Sequence, residues 1–516
     1  MASTRFPTSS SFSQLLLGFF FFYLTGFTTA AAVPRADLKA LLTDPVRQWS
    51  KGTTVSFSGT SRFQEATERW TIFDPPTYVA AISPSTEEDV RKVTKFLAPQ
   101  IKLATLLKFP FLVTGKRHGY TTTLGRLRNG LAIDLSGIRT LDVNKAAQTL
   151  TIGPGVGAGD IFNPLFEAGF ELQTGSATCP SLIGVTLGGG VGRFTGVHGL
   201  LLDALISIRM VTWDGRLITV SKTSYPDLFW AIRGAGANFG AVVSATYKVH
   251  PLRNNGDILS ADFYFPANKS TEYFKAVEAL GGGKLPAEMA SISLVLWNND
   301  ANETQVGANW VYLGPEAEGR KALAPFLALG PSYQSISVVK WNKLIATAGG
   351  GVEAQTCADG LYRDLYSMNI KNYSAATYSA SFAKMADFFA RYPEARTSIL
   401  QFEWFPNQAV AAVPLGETAW PWRDATGYVN PNMIWSKGAS AATAKAASAL
   451  GHELREDLRA TDGYPEPSVF VNYARGDEKL EEIYGRQNLP RLAKLKKQWD
   501  PHGFFSFNNA LPTRYP

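Results

Sequence analysis

The sequence predicts an α+β protein in two lobes, on three observations. Between about Pro75 and Pro251, short strand-like runs alternate with short helices and many glycines. From about Leu252 to Glu466 glycine thins, and longer alternating strands take turns with helical stretches, the pattern of an antiparallel sheet covered by helices. At 516 residues, the chain also exceeds what one hydrophobic core usually supports. A hydrophobic share of 45% against 18% charged residues excludes a disordered chain. The net charge of +7 comes from 50 Lys+Arg against 43 Asp+Glu and is spread without a basic run, so a mildly basic protein is expected and no nucleic-acid partner.

The chain starts with Arg5, an apolar block from Leu15 to Leu24, and the small residues Thr28-Thr29-Ala30-Ala31-Ala32. A positive start, an apolar block too short for a membrane span and a small-residue exit predict a signal peptide over residues 1–32. The mature protein is therefore expected to be secreted, with no membrane span. Sequons at Asn268, Asn302 and Asn372 suit that compartment as N-glycan sites on exposed loops. The cysteines are Cys179 and Cys357, and histidine is scarce at 5, so no metal site is expected. Export permits a disulfide.

Residues 33–74 read as an N-terminal extension, 75–252 as the first lobe, 253–465 as the second, and 466–516 as a C-terminal segment returning to the first. In the first lobe, residues 109–114 and 130–135 read as buried strands and 149–155 as a strand ending in a turn. Residues 159–169 read as a short amphipathic helix, 206–220 as a hairpin turning at Asp214-Gly215, and 241–249 as a further strand. The second lobe is expected to hold strands at 258–265, 291–297 and 308–313, with helices at 271–280, 316–329, 377–392 and 440–460. Residues 477–499 read as helix ahead of the turn Asp500-Pro501-His502-Gly503.

Four pieces carry the chemistry. In Val113-Thr114-Gly115-Lys116-Arg117-His118-Gly119-Tyr120 a strand runs into a tight turn whose glycines let backbone N–H groups approach an anion, with Lys116 and Arg117 as added charge. The run from Thr178 to Arg193, containing Cys179, Ser181, Gly184, Gly188 and Gly189, is too glycine-rich for an ordinary helix and reads as a loop pressed against a flat or phosphorylated ligand. The third piece runs from Asp227 to Val243. The fourth is Phe470-Val471-Asn472-Tyr473 with the tail from Phe505 through Asn508 to Pro512. No GxGxxG fingerprint with a distal acid follows Gly155-Val156-Gly157, which argues against a nicotinamide dinucleotide site.

Together these pieces resemble the FAD-linked oxidases related to vanillyl-alcohol oxidase and p-cresol methylhydroxylase, in their berberine-bridge-enzyme-like branch. Asp227-Leu228-Phe229-Trp230 with Asn238-Phe239-Gly240, and the ordered tail Tyr484-Gly485, Asn488, Arg491-Leu492, Asp500-Pro501 and Phe504, carry the resemblance from about Pro75 to the end. It implies a PCMH-type FAD-binding domain and an α+β substrate domain. It implies FAD as cofactor, covalently held through His118, with Gly115, Lys116, Arg117, Gly119, Cys179, Ser181, Gly184, Gly188, Gly189, Val243 and Asn508 around it. Lys116-Arg117 stand where the family usually has Gly-Gly. Cys179 is open between a second flavin link, a disulfide to Cys357 and a buried thiol. The family's Tyr-x-Asn element reads Phe470-Val471-Asn472 here, and Trp420-Pro421-Trp422-Arg423 stands where relatives often show Phe-Pro-His-Arg. The implied reaction takes hydride from a C–H bond beside O or N of a small molecule, with O₂ as acceptor and Tyr428 or Glu403 as base. A non-redox protein on the same scaffold is the competing reading.

Overall fold

A computed structural model describes residues 35–97, 109–282 and 285–516. The expected signal peptide lies outside the described residues. Among these residues, no helix is long and apolar enough to cross a membrane.

Among the described residues the first lobe holds two larger sheets and the short antiparallel pair Phe170–Glu171 with His250–Pro251. One has the order Thr54–Phe57, Tyr78–Ser83, Gly130–Asp134, Phe111–Thr114, antiparallel in its first pair and parallel thereafter. Thr54–Phe57 lies in the stretch read as an extension, yet it pairs with Tyr78–Ser83 and so belongs to this lobe. The second sheet is antiparallel, ordered Leu141–Asn144, Thr149–Ile152, Ala241–Lys248, Leu205–Val211, Leu217–Ser221. Its last pair is the expected hairpin, with Gly215 at φ 79° in the turn. The glycine-rich run departs from expectation: Leu182–Gly188 is helical, capped by Ser181 Oγ on Gly184 N (3.3 Å), because Leu182, Ile183 and Thr186 are buried and packing offsets the weak propensity of glycine.

The second lobe is one eight-stranded sheet. Its order is Tyr333–Lys340, Asp257–Phe265, Glu303–Tyr312, Met289–Asn298, Ile399–Trp404, Gly427–Trp435, Tyr362–Leu365, with Met368–Ile370 also paired to Gly427–Trp435. Side chains alternate across a strand. Phe263, Phe265, Phe402 and Trp404 therefore enter the core beneath the helices Ser270–Gly281 and Ala375–Arg391, and their neighbours face the first lobe.

The tail returns to the first lobe through buried polar contacts. Lys496 Nζ donates to Asp500 Oδ2 (2.7 Å) and to the carbonyls of Asn238 and Phe505 (both 2.8 Å). The Tyr484 hydroxyl donates to Asn509 O (2.7 Å), and Asn238 Oδ1 accepts from Leu511 N (2.9 Å). The helix expected over 477–499 is broken into Leu480–Tyr484 and Leu489–Trp499 by Gly485, whose φ of 73° is left-handed.

Asp203 and Arg423 join the lobes in a two-pronged buried pair (2.8 and 3.1 Å). Asp203→Ala leaves the guanidinium buried without its anion, and chemical denaturation is expected to show a loss of about 3–5 kcal/mol.

Candidate active site

A cleft crosses the first lobe. Strand Phe111–Thr114 with Gly115 forms one wall, Ser181 with the helix Leu182–Gly188 a second, and Gly234, Gly236, Gly240 and Val242 a third. Residues 504–508 of the tail close it. The backbones approach closely because glycine permits it: a Cβ on Gly115 would stand 2.6 Å from Pro154 O, and one on Gly188 1.9 Å from Asn472 Oδ1. Thr114 Oγ1 is buried in this wall without a partner, as are Asn509 Nδ2 next to the tail and Trp420 Nε1 beside Gly189. Native interiors rarely leave such groups unpaired, so these mark places for a ligand's polar atoms. The cleft's glycine walls and orphan polar atoms fit FAD.

Of the residues expected at the cofactor, Gly115, Ser181, Gly184, Gly188 and Asn508 line the cleft. Gly189 abuts it, at φ 152°, against Trp420 and Phe470. Val243 does not line it. Strand alternation turns Val242 to the cleft and packs Val243 in the core with Ile133 and Phe111. Arg117 supplies no free charge either: its Nη1 is paired with Asp134 Oδ1 (2.6 Å) and its Nε donates to Glu68 O (2.9 Å). Lys116 Nζ stands 3.2 Å from the position of a Cβ on Gly157, outside the lining. The Gly119 carbonyl accepts from buried Arg69.

His118 is stacked on Trp70, with centroids 4.3 Å apart. Burial first, then the charges of Arg363 and Arg69, push its pKa down to about 3. The ring is therefore neutral at pH 7, with a nitrogen lone pair free to attack carbon. His118 Nε2 lies 3.4 Å from Cys179 Sγ. Cys179 is bonded to Cys357 in a disulfide that joins the two lobes across 178 residues. While that bond is closed, Cys179 is unavailable to a flavin. Titration of denatured, unreduced protein with a thiol reagent is expected to find no free thiol, whereas one free thiol would mean that Cys179 is bonded to the flavin.

The second lobe faces the first with one continuous row of residues. Register pairs Asp262 with Asn309, Asn309 with Ile292, Ile292 with Glu403, Glu403 with Tyr428, and Tyr428 with Asn369. Directly paired residues share a face, so both base candidates lie side by side in this row. Glu403 is buried; its Oε1 accepts from the Tyr473 hydroxyl (3.1 Å) and Gln401 Nε2 (2.9 Å), and its Oε2 has no partner. Burial pushes its pKa up to about 7, against the pull of those hydrogen bonds and of the Arg193 charge. Tyr120, Tyr428 and Tyr473 are phenols pushed well above their usual range by burial and by the Glu403 charge. Asn369 is buried with both amide atoms unpartnered, as is the Tyr120 hydroxyl.

Sequence reasoning missed Tyr473, Tyr120, Asn369 and Arg193 as site residues. Tyr473 restores the hydroxyl absent at Phe470: the short turn Val471–Tyr473 swings it to Glu403, while Asn472 Nδ2 donates to Val185 O (2.8 Å). Trp404 belongs to the helix-covered core, its Nε1 on Ser293 Oγ (3.0 Å), and Trp422 Nε1 donates to Ile483 O (3.2 Å).

The family model described as FAD binding domain matches residues 79–221, and that described as berberine and berberine like matches 469–512. The chain is 48% identical over 482 residues to the FAD-linked oxidoreductase fogF of Aspergillus ruber, covering 93% of this chain and 95% of that one. In fold it is similar to a chitooligosaccharide oxidase (TM-score 0.77, 22% identity, 93% of this chain and 100% of that one). It is also similar to the glucooligosaccharide oxidase of Acremonium strictum, a protein described with a 6-S-cysteinyl, 8α-N1-histidyl FAD (TM-score 0.76, 20% identity, 90% of this chain and 98% of that one).

Proposed function

The chain belongs to the berberine-bridge-like FAD-linked oxidoreductases, and from that premise we propose that it is a secreted oxidase with FAD tethered through His118 and Glu403 as its general base. The observation that carries this reading is the buried Glu403 carboxyl, which has one oxygen held by Tyr473 and Gln401 and the other unclaimed, on the face turned toward the first lobe.

FAD, when bound, supplies the hydride acceptor. The chain's own residues do the rest. Glu403 takes the proton of the substrate's OH or NH group at Oε2. Its raised pKa keeps a usable share ionised near pH 7 while leaving it basic enough to accept that proton. Tyr428 and Tyr473 stay protonated at that pH. They act as hydrogen-bond donors that orient the carboxylate and the substrate oxygen, not as bases. Neutral His118 is in the form that can hold the cofactor covalently. Sequestering Cys179 with Cys357 favours a single flavin link.

Export is supported by the N-terminal pattern, by a disulfide, and by the exposure of Asn268, Asn302 and Asn372, each open to a glycan. Electrons are expected to pass to O₂, and the substrate is a small molecule. The test is a panel of primary and secondary alcohols, amines and sugars, followed by H₂O₂ release and by bleaching of the flavin band without oxygen. Bleaching and peroxide with at least one class support the reading. A flavin band that no donor bleaches, or a colourless protein, contradicts it.

A further inference from the structure

Arg193 reaches the Glu403 row from the first lobe and is buried, at 6% exposure. The loop that carries it is pinned on both sides. A Cβ on Gly192 would stand 2.0 Å from Thr174 O, and Phe194 N donates to Gln173 Oε1 (2.9 Å). Arg193 Nη2 donates to Asn309 Oδ1 (2.9 Å), a neutral amide, and its Nε has no partner. The other end of that amide turns to an anion: Asn309 Nδ2 donates to Asp262 Oδ1 (2.7 Å). Asp262 also accepts from Gly349 N (2.8 Å) and Gly350 N (3.3 Å). One amide thus holds cation and anion apart, where direct contact would close them into an ion pair. A closed pair acts on its neighbours as a small dipole; held apart, each charge is felt more nearly on its own.

The row decides which of the two charges Glu403 feels more. Asp262 lies one strand from Asn309 on one side, and Glu403 two strands away on the other, with Ile292 between. At about 4.8 Å per strand, the amide that anchors the guanidinium is on the order of 10 Å from Glu403, and Asp262 about half as far again. Ile292 is apolar and packs against the core that spans both lobes, so little screens the gap. The other groups that face Glu403 are the phenols of Tyr120, Tyr428 and Tyr473, all uncharged near neutrality. Charges that reach those phenols are themselves matched: Arg423 by Asp203, Asp424 by Lys371 and Glu478 by Arg455. Burial pushes the Glu403 pKa up; the hydrogen bonds from Tyr473 and Gln401, and then the Arg193 charge, draw it down.

We propose that Arg193 is a positioning residue for the reaction: acting through Glu403, its charge, offset by Asp262 only across the Asn309 amide, favours the carboxylate form that takes the substrate's proton. Removing the cation leaves Asp262 to disfavour a second carboxylate in the row. Removing the anion leaves the cation unopposed. The two changes therefore act on Glu403 with opposite sign. At about 10 Å and an effective dielectric constant of about 20, one charge moves a carboxyl's midpoint by about one pH unit. The inference rests on the reading that Glu403 is the base.

The test follows Glu403 in two ways in the flavin-loaded protein. Infrared difference spectra titrate the protonated carboxyl band that Glu403→Gln removes, and anaerobic single-turnover reduction gives the midpoint of the pH–rate limb. Arg193→Met is expected to raise both midpoints by about one pH unit, from about 7 to about 8. Asp262→Asn is expected to lower both by about half a unit to one unit, its amide oxygen keeping the bonds from Asn309 and Gly349. Arg193→Lys keeps the charge and is expected to stay within about 0.3 of the unaltered midpoint. An Arg193→Met midpoint that does not rise, or an Asp262→Asn midpoint that rises or stays, overturns the proposal. Should Arg193→Met not fold, Asp262→Asn decides alone, a fall supporting the proposal and any other result overturning it. If the infrared midpoints shift as expected while the rate limb stays in place, the tuning stands and Glu403 is not the base. A rate limb that Glu403→Gln abolishes but neither other variant moves keeps the base and sinks the tuning alone.

Discussion

In a His118→Ala variant, acid precipitation is expected to leave a pellet without yellow fluorescence, while the unaltered protein gives a fluorescent one. The imidazole is stacked on Trp70 and kept neutral by burial and by Arg363 and Arg69. That environment preserves a nucleophilic nitrogen and fixes the ring's plane. The alanine variant should still bind FAD without a covalent bond, because the cleft walls at Gly115, Ser181, Gly188 and Asn508 are untouched. Its colour should therefore move to the supernatant, and substrate-driven flavin reduction should slow by roughly tenfold as the cofactor's electronic tuning is lost. A pellet that stays yellow would place the bond elsewhere, with Cys179, 3.4 Å from the ring, as the group to examine. A colourless pellet from the unaltered protein would remove the tether altogether.

Glu403→Gln is expected to lower the rate of flavin reduction by about 10²- to 10⁴-fold, the usual contribution of a placed base. Glutamine keeps the hydrogen bonds to Tyr473 and Gln401 within reach, so the loss reads out proton transfer rather than collapse of the pocket. The same substitution has an opposite effect on stability. The folded pKa, about 7, lies above the unfolded value, so the native state holds an extra proton between roughly pH 4.5 and 7. Stability therefore falls as pH rises through that window. Removing the titration should make the variant more stable than the unaltered protein at pH 8, by at most on the order of 3 kcal/mol, and no different at pH 4. A variant that is less stable at pH 8 would show that the carboxylate is a structural anion.

Much of this site was legible because strand alternation is. Gln401-Phe402-Glu403-Trp404 divides into a lobe-facing pair and a core pair once the run is read as a strand, while Glu403 and Tyr428 come forward as base candidates from the family resemblance. What alternation cannot show is which strands are neighbours. Asn369, Tyr428, Glu403 and Asn309 form a row through pairings between segments as far apart as Ile292 and Glu403, and no local pattern announces them. Tyr473 is hidden for a different reason: the Phe470-Val471-Asn472 element lacks a hydroxyl at Phe470, and a short turn supplies one three residues on. A charged residue closing a glycine run and followed by Phe194 was a signal for Arg193, since such a flank is built to be buried. Arg117 shows the converse: a cation beside a phosphate-type turn is spent on Asp134, a residue of the adjacent strand. The edge strand Tyr333–Lys340 was not expected because it is largely exposed and lacks a buried face to mark it.

The central claim is that a buried carboxyl at Glu403 removes a proton as hydride leaves the substrate. The most direct measurement is the rate of anaerobic flavin reduction, in single turnover, between pH 5 and 9. The account predicts a rate that climbs about tenfold per pH unit below roughly pH 7 and then levels, with the limb absent in Glu403→Gln. A rate independent of pH over that range, or one that starts to climb only near the titration of a phenol, would contradict it.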